Sequence, residues 1–333
     1  MLEAATARPG CRTPGVRIRV TSQDASTLMR QAHELQAAGR LNDAIGRYGE
    51  AVIANPASGI AAQNLAQALG DAGRWKDALP HAERAATLEP HELAVQMTLA
   101  EALLAVGEVG RASDLAGDMR RRWSTNQRAI ALQCDAWRLV GDRRYGQLHD
   151  YASLIAISKL EAPSGWRSLE AWAGEAAAQL RVLHGDRGCI EVDARDHALG
   201  ALPRTIDAAV RRHLEKLGSG DDPVRARNHG TYSIQCLWSE MVTSGDKRAD
   251  RIAQEGWLSA IVCLGATGQL RLGKSGVAMQ PRLEAGHVVD PEAGLLVLFP
   301  SYIWQGVTLS GGEPCIILHA ELVPGPAHLP DHD

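Results

Sequence analysis

The chain has 333 residues, a length typical of two domains at roughly 100 to 200 residues each. Hydrophobic residues make up 45% and charged residues 22%, which excludes wholesale disorder and a collagen-like or coiled-coil protein. The net charge of −4 lacks the positive excess typical of nucleic-acid-binding proteins, so we expect no nucleic-acid partner.

The cysteines and the N-terminal segment indicate the compartment. Six cysteines occur without a CxxC pair, which favours reduced thiols over a zinc finger or a disulfide scaffold. The first 20 residues lack the apolar core of a secretory signal, and no apolar run is long enough to span a bilayer. We therefore predict a cytoplasmic protein without a membrane partner, with residues 1–20 disordered.

A repeat of 34 residues organises the first half of the chain. Small residues and prolines keep this register, and the glycines mark it most clearly: Gly39, Gly73, Gly107 and Gly141. Alanine at Ala32, Ala66 and Ala100 lets antiparallel helices approach closely, and each glycine is predicted to end the first helix of a pair. A degenerate fourth unit around Trp137 and Gly141 is expected to end the stack.

The segments AHELQAAGRLNDAIGRYGEAVIANP and LAQALGDAGRWKDALPHAERAATLEP resemble tetratricopeptide (TPR) repeats. The resemblance implies a concave surface that holds an extended peptide or a partner segment, often through an Asn at the place of Asn64. The predicted peptide-binding residues of this groove are Arg30, Gln63, Asn64, Gln67, Arg128, Asp135 and Arg138. The alternative is that these side chains form an ordinary solvated face.

The second half changes in composition and in period. Two helical stretches, LEAWAGEAAAQLRVLHG and TIDAAVRRHLEKLG, precede short apolar runs separated by Gly and Pro, which predict strands. The predicted fold class is therefore a multidomain α+β protein. Its predicted parts are a TPR domain (21–158), a helical flank (159–226) and a β domain (227–333).

The β region resembles the 2-oxoglutarate/Fe(II)-dependent oxygenases of prolyl-hydroxylase type, which are often fused behind TPR repeats. Its most specific stretches are GWLS at Gly256 to Ser259 and LVLFPS at Leu296 to Ser301, with Trp304 and Gly306 following in register. The resemblance implies a double-stranded β-helix of the jelly-roll type. It also implies a ferrous ion held by two imidazoles and a further His or carboxylate.

The sequence departs from that family at the reacting centre. Alignment on the two motifs places Arg251, Ala253 and Gln305 at the iron-ligand positions. Arginine stays protonated, alanine has no donor atom, and a neutral amide is a weak iron ligand. Cys315 falls near the position of the arginine that would hold 2-oxoglutarate. We therefore predict a pseudoenzyme with no catalytic residues, no metal and no cofactor.

The former metal position offers a second candidate binding site. The Arg251 guanidinium could take the place of the cation and hold a carboxylate of a peptide, with Trp257 and Gln305 beside it. The alternative is a surface arginine together with indoles that belong to the core. The basic runs at Arg120 to Trp123 and Asp142 to Tyr145 are expected to form solvated faces.

These observations predict a non-catalytic protein that binds a peptide or protein segment. One setting is an accessory protein that presents a precursor peptide to modifying enzymes in peptide natural-product biosynthesis. Two alternatives remain open. One is an active Fe(II)/2-oxoglutarate-dependent hydroxylase with atypical ligands, and the other is a structural scaffold whose β domain forms a homodimer.

Overall fold

A computed structural model of the chain describes residues 22–185, 187–193, 198–243, 250–265, 268–309 and 314–325. Residues 1–20, which we predicted to be disordered, lie outside the described residues. Two compact units divide between Glu89 and Pro90, inside the region predicted as a single repeat domain. The predicted boundaries after residues 158 and 226 remain predictions.

The first unit is made of paired helices. Its helices are α1 (Ser22–Ala37), α2 (Leu41–Ala54), α3 (Gly59–Asp71) and α4 (Trp75–Leu88). Within this unit α1 packs on α2, α2 on α3, and α3 on α4. Ala32, Ala66 and Ala78 are fully buried in this stack, since a methyl side chain lets two helix backbones approach closely.

The second unit begins with three helices of similar length, α5 (Leu93–Val106), α6 (Val109–Arg122) and α7 (Gln127–Val140). They are followed by two short helices, α8 (Arg144–Leu148) and α9 (Tyr151–Leu154), two long helices, α10 (Leu169–His184) and α11 (Leu202–Leu217), and a 3-10 helix (Arg225–Arg227). The α7 helix is capped by Asn126, whose side chain accepts a 2.9 Å hydrogen bond from the Ala129 amide.

The glycines of the 34-residue period end helices, as predicted. Gly39, Gly73, Gly107 and Gly141 have φ angles between 70° and 87° and follow α1, α3, α5 and α7. This left-handed conformation is strained for residues with a Cβ atom, so the spacing of the glycines fixes where each first helix stops.

Nine strands form two antiparallel sheets in the described part of the second unit. They are β1 (Ala156–Lys159), β2 (Cys189–Glu191), β3 (Tyr232–Val242), β4 (Leu258–Cys263), β5 (Gln269–Leu272), β6 (His287–Val289), β7 (Leu295–Pro300), β8 (Gln305–Thr308) and β9 (Cys315–Pro324). The six-stranded sheet has the order β1-β7-β4-β9-β3-β2, and the three-stranded sheet has the order β6-β5-β8.

The chain passes repeatedly between the two sheets. It leaves the larger sheet after β4, makes β5 and β6 in the smaller one, and then alternates through β7, β8 and β9. Every residue of β4 and β7 is buried, which agrees with their continuous apolar sequences. The segment predicted as a helical flank also supplies β2, which pairs with β3.

Helix α10 packs against the larger sheet, and two of its buried polar groups contact other segments of the second unit. His184 Nε2 lies 3.0 Å from the Ser239 hydroxyl in β3, and the Trp172 indole donates to the Ala198 carbonyl at 2.8 Å. Among the helices in the described ranges, none is long and apolar enough to cross a membrane.

Candidate functional site

One face of β3 and β9 carries an aromatic and charged group of side chains. Trp238 and His319 are directly opposite each other in the antiparallel register, and their rings stack with centroids 3.8 Å apart and planes 2° apart. Glu240 lies two residues after Trp238, so it projects from the same face of the sheet. The side chains of Glu240 and His319 are only 7% and 5% exposed.

Arg251 completes this group from a neighbouring segment. Its Nη1 donates to Glu240 Oε1 at 3.1 Å, its Nη2 contacts Oε2, and its guanidinium carbon lies 4.4 Å from the Trp238 ring centroid. The Arg251 side chain is 35% exposed, so the group is open to solvent on the arginine side. We call Trp238, Glu240, Arg251 and His319 the Arg251 cluster.

Protonation in the Arg251 cluster follows from burial and from the ion pair. Burial of Glu240 opposes its ionisation, yet hydrogen bonds from His319 and Arg251 and the charge of Arg251 bring its pKa to about 2. Burial, aided by the charge of Arg251, lowers the pKa of His319 to about 4. At neutral pH the cluster therefore holds a guanidinium–carboxylate pair beside a neutral imidazole.

The residues at the predicted iron-ligand positions do not fit a ferrous ion. Arg251 and Gln305 are bridge partners, with N···O distances of 2.8 and 2.7 Å between their backbones. A protonated guanidinium repels a metal cation, and Ala253 offers no side-chain donor. Within the described ranges, no group of three His, Cys, Asp or Glu side chains converges as a metal site.

A second buried ion pair lies next to Arg251 in the sequence. Arg271 Nη2 donates to Asp250 Oδ1 at 2.7 Å, and the Asp250 side chain is only 4% exposed. A Cβ atom built on Gly306 would overlap Asp250 Oδ1. This ion pair therefore requires a glycine at position 306.

The prediction that Trp257 and Gln305 contact a peptide needs correction. Trp257 is 1% exposed, and its indole donates to the Val224 carbonyl at 2.9 Å. Gln305 is 4% exposed. Trp257 directly precedes β4, and Gln305 begins β8. Both side chains are packed in the interior, so Arg251 is the accessible member of the predicted trio.

Two of the groove residues predicted on α7 contact this chain's own C-terminal segments. Arg138 Nη1 donates to the carbonyls of Gly273 at 2.8 Å and Glu284 at 2.7 Å. Asp135 Oδ2 accepts hydrogen bonds from the Ser275 hydroxyl at 2.6 Å and the Trp304 indole at 3.0 Å. These contacts correct the expectation that Arg138 and Asp135 face a peptide ligand.

Arg128, the third predicted residue on α7, belongs to the same contact. Its guanidinium pairs with the buried carboxylate of Glu101 on α5 and lies 5.6 Å from the ring centroid of Trp304. The face of α7 that carries these three residues is therefore occupied by loops and side chains of the second unit itself, as expected for buried polar groups, which need hydrogen-bond partners.

The Asp135 carboxyl is unusual among these groups. Burial raises its pKa to about 7, although the hydrogen bonds from Ser275 and Trp304 and the charges of Arg138 and Arg128 act in the opposite direction. A carboxyl with this pKa changes its charge near neutral pH at the contact between α7 and the loops of the second unit.

The remaining predicted groove residues lie in the first unit, on α1 and α3. Arg30 is exposed and pairs with Glu34 at 2.9 Å, whereas Gln67 donates to Asp71 at 3.0 Å. Gln63 and Asn64 are half-buried on α3. The Asn64 carboxamide has no hydrogen-bond partner among the residues that the structure describes.

Sequence reasoning missed Glu240, the residue that binds Arg251. The available signal was an acidic residue inside the apolar strand YSIQCLWSEMV, in alternation with Trp238. Buried carboxylates in such strands require a cationic partner. The sequence does not say which arginine supplies it.

Comparison with known proteins identifies the helical repeat. Residues 71–122 match the family model of the tetratricopeptide repeat, and this range contains α4, α5 and α6. The N-terminal helices of the chain therefore include TPR repeats. No curated protein matches the sequence.

Several solved structures resemble part of the chain. The first TPR of Spaghetti (RPAP3) bound to the HSP90 peptide SRMEEVD is 18% identical, with 37% of this chain and 98% of that chain covered and a TM-score of 0.36. The Sgt2 TPR domain from Aspergillus fumigatus is also 18% identical, covering 40% and 89%, with a TM-score of 0.35. A crystal structure of MamA is 20% identical, covering 37% and 72%, with a TM-score of 0.35.

Proposed function

We propose that the protein is a non-catalytic binding protein, in which TPR helices hold a peptide or protein segment and a β domain has lost oxygenase chemistry. The observation that carries the binding role is the Asn64 carboxamide on α3. It is half-buried and lacks a partner among the described residues, so its donor and acceptor are available to the backbone of an extended peptide. The match of residues 71–122 to the TPR family supports the same role.

The Arg251 cluster supports the absence of catalysis. An oxygenase centre needs open metal positions, whereas here the guanidinium of Arg251 holds the Glu240 carboxylate and stacks on Trp238. The proposed β-helix is supported by the alternation of β4 to β9 between two antiparallel sheets, a topology found in jelly rolls.

The proposed setting is the presentation of a precursor peptide to modifying enzymes in peptide natural-product biosynthesis. Its support is the sequence resemblance to oxygenases that act on peptides and amino-acid side chains. The TPR helices would bind the peptide, and the enzymes that modify it would be separate proteins.

Selection from a random peptide display library tests the binding role. We expect the full chain to enrich a defined set of peptides, and Asn64→Ala to weaken their binding by about tenfold, the loss of one to two good hydrogen bonds. Asn42→Ala, on the exposed face of α2, is the matched control and should bind as the wild type does. Failure to enrich any peptide, or equal binding by both variants, would contradict the proposal.

The proposed lack of catalysis is tested by adding Fe(II) and 2-oxoglutarate to the full chain and measuring bound iron and succinate. We expect neither stoichiometric iron nor succinate above the protein-free control. Iron binding with succinate formation would establish the hydroxylase alternative instead. A solution mass of twice 35.7 kDa, without peptide binding, would favour the dimerisation scaffold.

A further inference from the structure

A cavity away from the Arg251 cluster gathers arginines from distant parts of the chain. It has a volume of about 650 Å³, within the usual range for small-molecule sites. Its walls come from α6, α7, α8 and the segment 221–227, all within the second unit. We call it the arginine pocket, after the four arginines that line it: Arg120, Arg121, Arg144 and Arg227.

Two of these arginines are held in place by an aromatic ring. The guanidinium carbons of Arg120 and Arg144 lie 5.7 and 4.6 Å from the ring centroid of Trp137. Arg120 also donates to Gln133 Oε1 at 2.7 Å, and Arg144 pairs with Asp142 at 2.6 Å. Stacking and hydrogen bonds therefore hold the guanidinium groups of Arg120 and Arg144 in place before a ligand binds, which reduces the conformational entropy lost on binding.

The charges of the lining are unbalanced. Four arginines and two aspartates, Asp221 and Asp222, line the cavity, and Arg144 pairs with Asp142 outside the lining. Asp222 is already engaged, because it accepts a 2.8 Å hydrogen bond from Arg225, outside the lining. Asp118 pairs with Arg121 in a smaller adjoining cavity of about 330 Å³.

Arg227 is the unsatisfied member of the group. It lies in the 3-10 helix and is half-buried, and its guanidinium has no hydrogen bond or ion pair with any residue that the structure describes. Burial lowers the pKa of this guanidinium, which is the sign of a cation removed from water without compensation. A half-buried cation without a partner is costly unless an anion joins it, and Arg227 shares its cavity with three other arginines.

We propose that the arginine pocket binds a phosphate monoester, carried by a phosphorylated small molecule or by a phosphorylated residue of a peptide. A phosphate monoester carries about −1.5 to −2 charges at neutral pH, enough to pair with Arg120 and Arg227, the lining arginines without a carboxylate partner among the described residues. Its three terminal oxygens accept paired hydrogen bonds from several guanidinium forks at once, whereas a carboxylate offers only two oxygens.

Calorimetric titration of the full chain tests the site with three probes: inorganic phosphate, glycerol 3-phosphate and the peptide Ala-Ala-phosphoserine-Ala-Ala. We expect binding that Arg227→Gln weakens by at least about tenfold, the usual effect of losing a charge-assisted hydrogen bond. Arg181→Gln, at an exposed position on α10, is the matched control and should bind as the wild type does. Tighter binding of glycerol 3-phosphate or of the peptide identifies the source of the phosphate.

A melting experiment separates binding from folding. Arg227→Gln removes an uncompensated cation, so its Tm without ligand should equal or exceed that of the wild type, and the rise of Tm with phosphate should disappear. The proposal is wrong if no probe binds at about 10 mM, a concentration that would occupy even a site with a millimolar Kd. It is also wrong if glutarate, a dicarboxylate, binds as tightly as phosphate, or if Arg227→Gln and Arg181→Gln bind equally.

Discussion

The carboxylate of Asp135 on α7 accepts a 3.0 Å hydrogen bond from the indole of Trp304, which lies 169 positions later in the chain. This bond joins α7 to the segment between β7 and β8. Since the Asp135 side chain is buried, its protonation state affects the free energy of unfolding, and this makes the contact testable.

The contribution of Asp135 to stability should depend on pH. Its pKa rises from an ordinary 3.8 to about 7 in the folded protein, so the folded state retains a proton that the unfolded state has lost. The contribution is full below about pH 4 and is lost as the pH rises through 7. We expect the difference in urea-unfolding free energy between the wild type and Asp135→Asn to change by a few kcal/mol over this window.

The control for that experiment is Asp142→Asn, because the Asp142 carboxylate is bound by Arg144 and its pKa is lowered to about 2. Its contribution to stability changes only below about pH 4, so its unfolding difference should stay constant from pH 4 to 8. An unfolding difference for Asp135→Asn that is equally constant over this range would contradict the raised pKa.

The contributions of Arg251 and Glu240 to stability should be energetically coupled. Arg251→Met leaves the Glu240 carboxylate buried without its cation, and we expect a loss of about 2 to 4 kcal/mol in the free energy of unfolding. Glu240→Gln should cost less, because Arg251 is partly exposed and can turn to water. A double-mutant cycle in chemical denaturation measures the coupling, which we expect to exceed about 1 kcal/mol. Additive effects of the two substitutions would show that the pair does not interact.

The same pair should respond to acid. The pKa of Glu240 is about 2 in the fold, below its ordinary 4.5, so its contribution is present above about pH 4.5 and is lost as the pH falls through 2. The wild type should therefore lose more stability than Glu240→Gln between pH 5 and 2, as followed by thermal melting. Parallel curves for the two proteins would count against the ion pair.

The Asp250–Arg271 ion pair should tolerate no side chain at position 306. Gly306→Ala places a methyl group against Asp250 Oδ1, and we expect a loss of about 1 to 3 kcal/mol, typical of overpacking. Gly146→Ala, in α8, has open space around the new Cβ atom and serves as the matched control. Its effect should be neutral or slightly stabilising in the same denaturation experiment. Equal effects of the two substitutions would refute the steric argument.

Substitution by alanine should affect stability differently at the glycines of the 34-residue repeat and at other glycines of the helices. Gly107→Ala forces a side chain into a φ of +87°, with an expected cost of about 1 kcal/mol. Gly110→Ala, inside α6, has no left-handed φ and open space around the new Cβ atom, and it should stabilise the protein by about 0.5 to 1 kcal/mol. Thermal melting of both variants measures the contrast, and a stabilising Gly107→Ala would disprove the left-handed cap.

The sequence by itself determined the repeat and the change to a β region in the second half of the chain. Helix ends at Gly107 and Gly141 depend on one backbone angle, and the close helix contacts at Ala66 depend on the size of one side chain. Such features repeat with the period of the structure, so a pattern in the chain reveals them. A β region was predicted for a similar reason, because short apolar runs are separated by Gly and Pro.

Only the tertiary structure decided which polar groups meet. Asp135 accepts a hydrogen bond from Trp304, Arg251 binds Glu240, and Arg227 lines a cavity with other arginines. Asp135 and Trp304 are far apart in the chain, and an arginine or a carboxylate has the same local signature whether it faces water, an ion pair or a cavity. Burial and long-range packing select among those states, because the cost of an uncompensated charge depends on the surroundings that the whole fold creates.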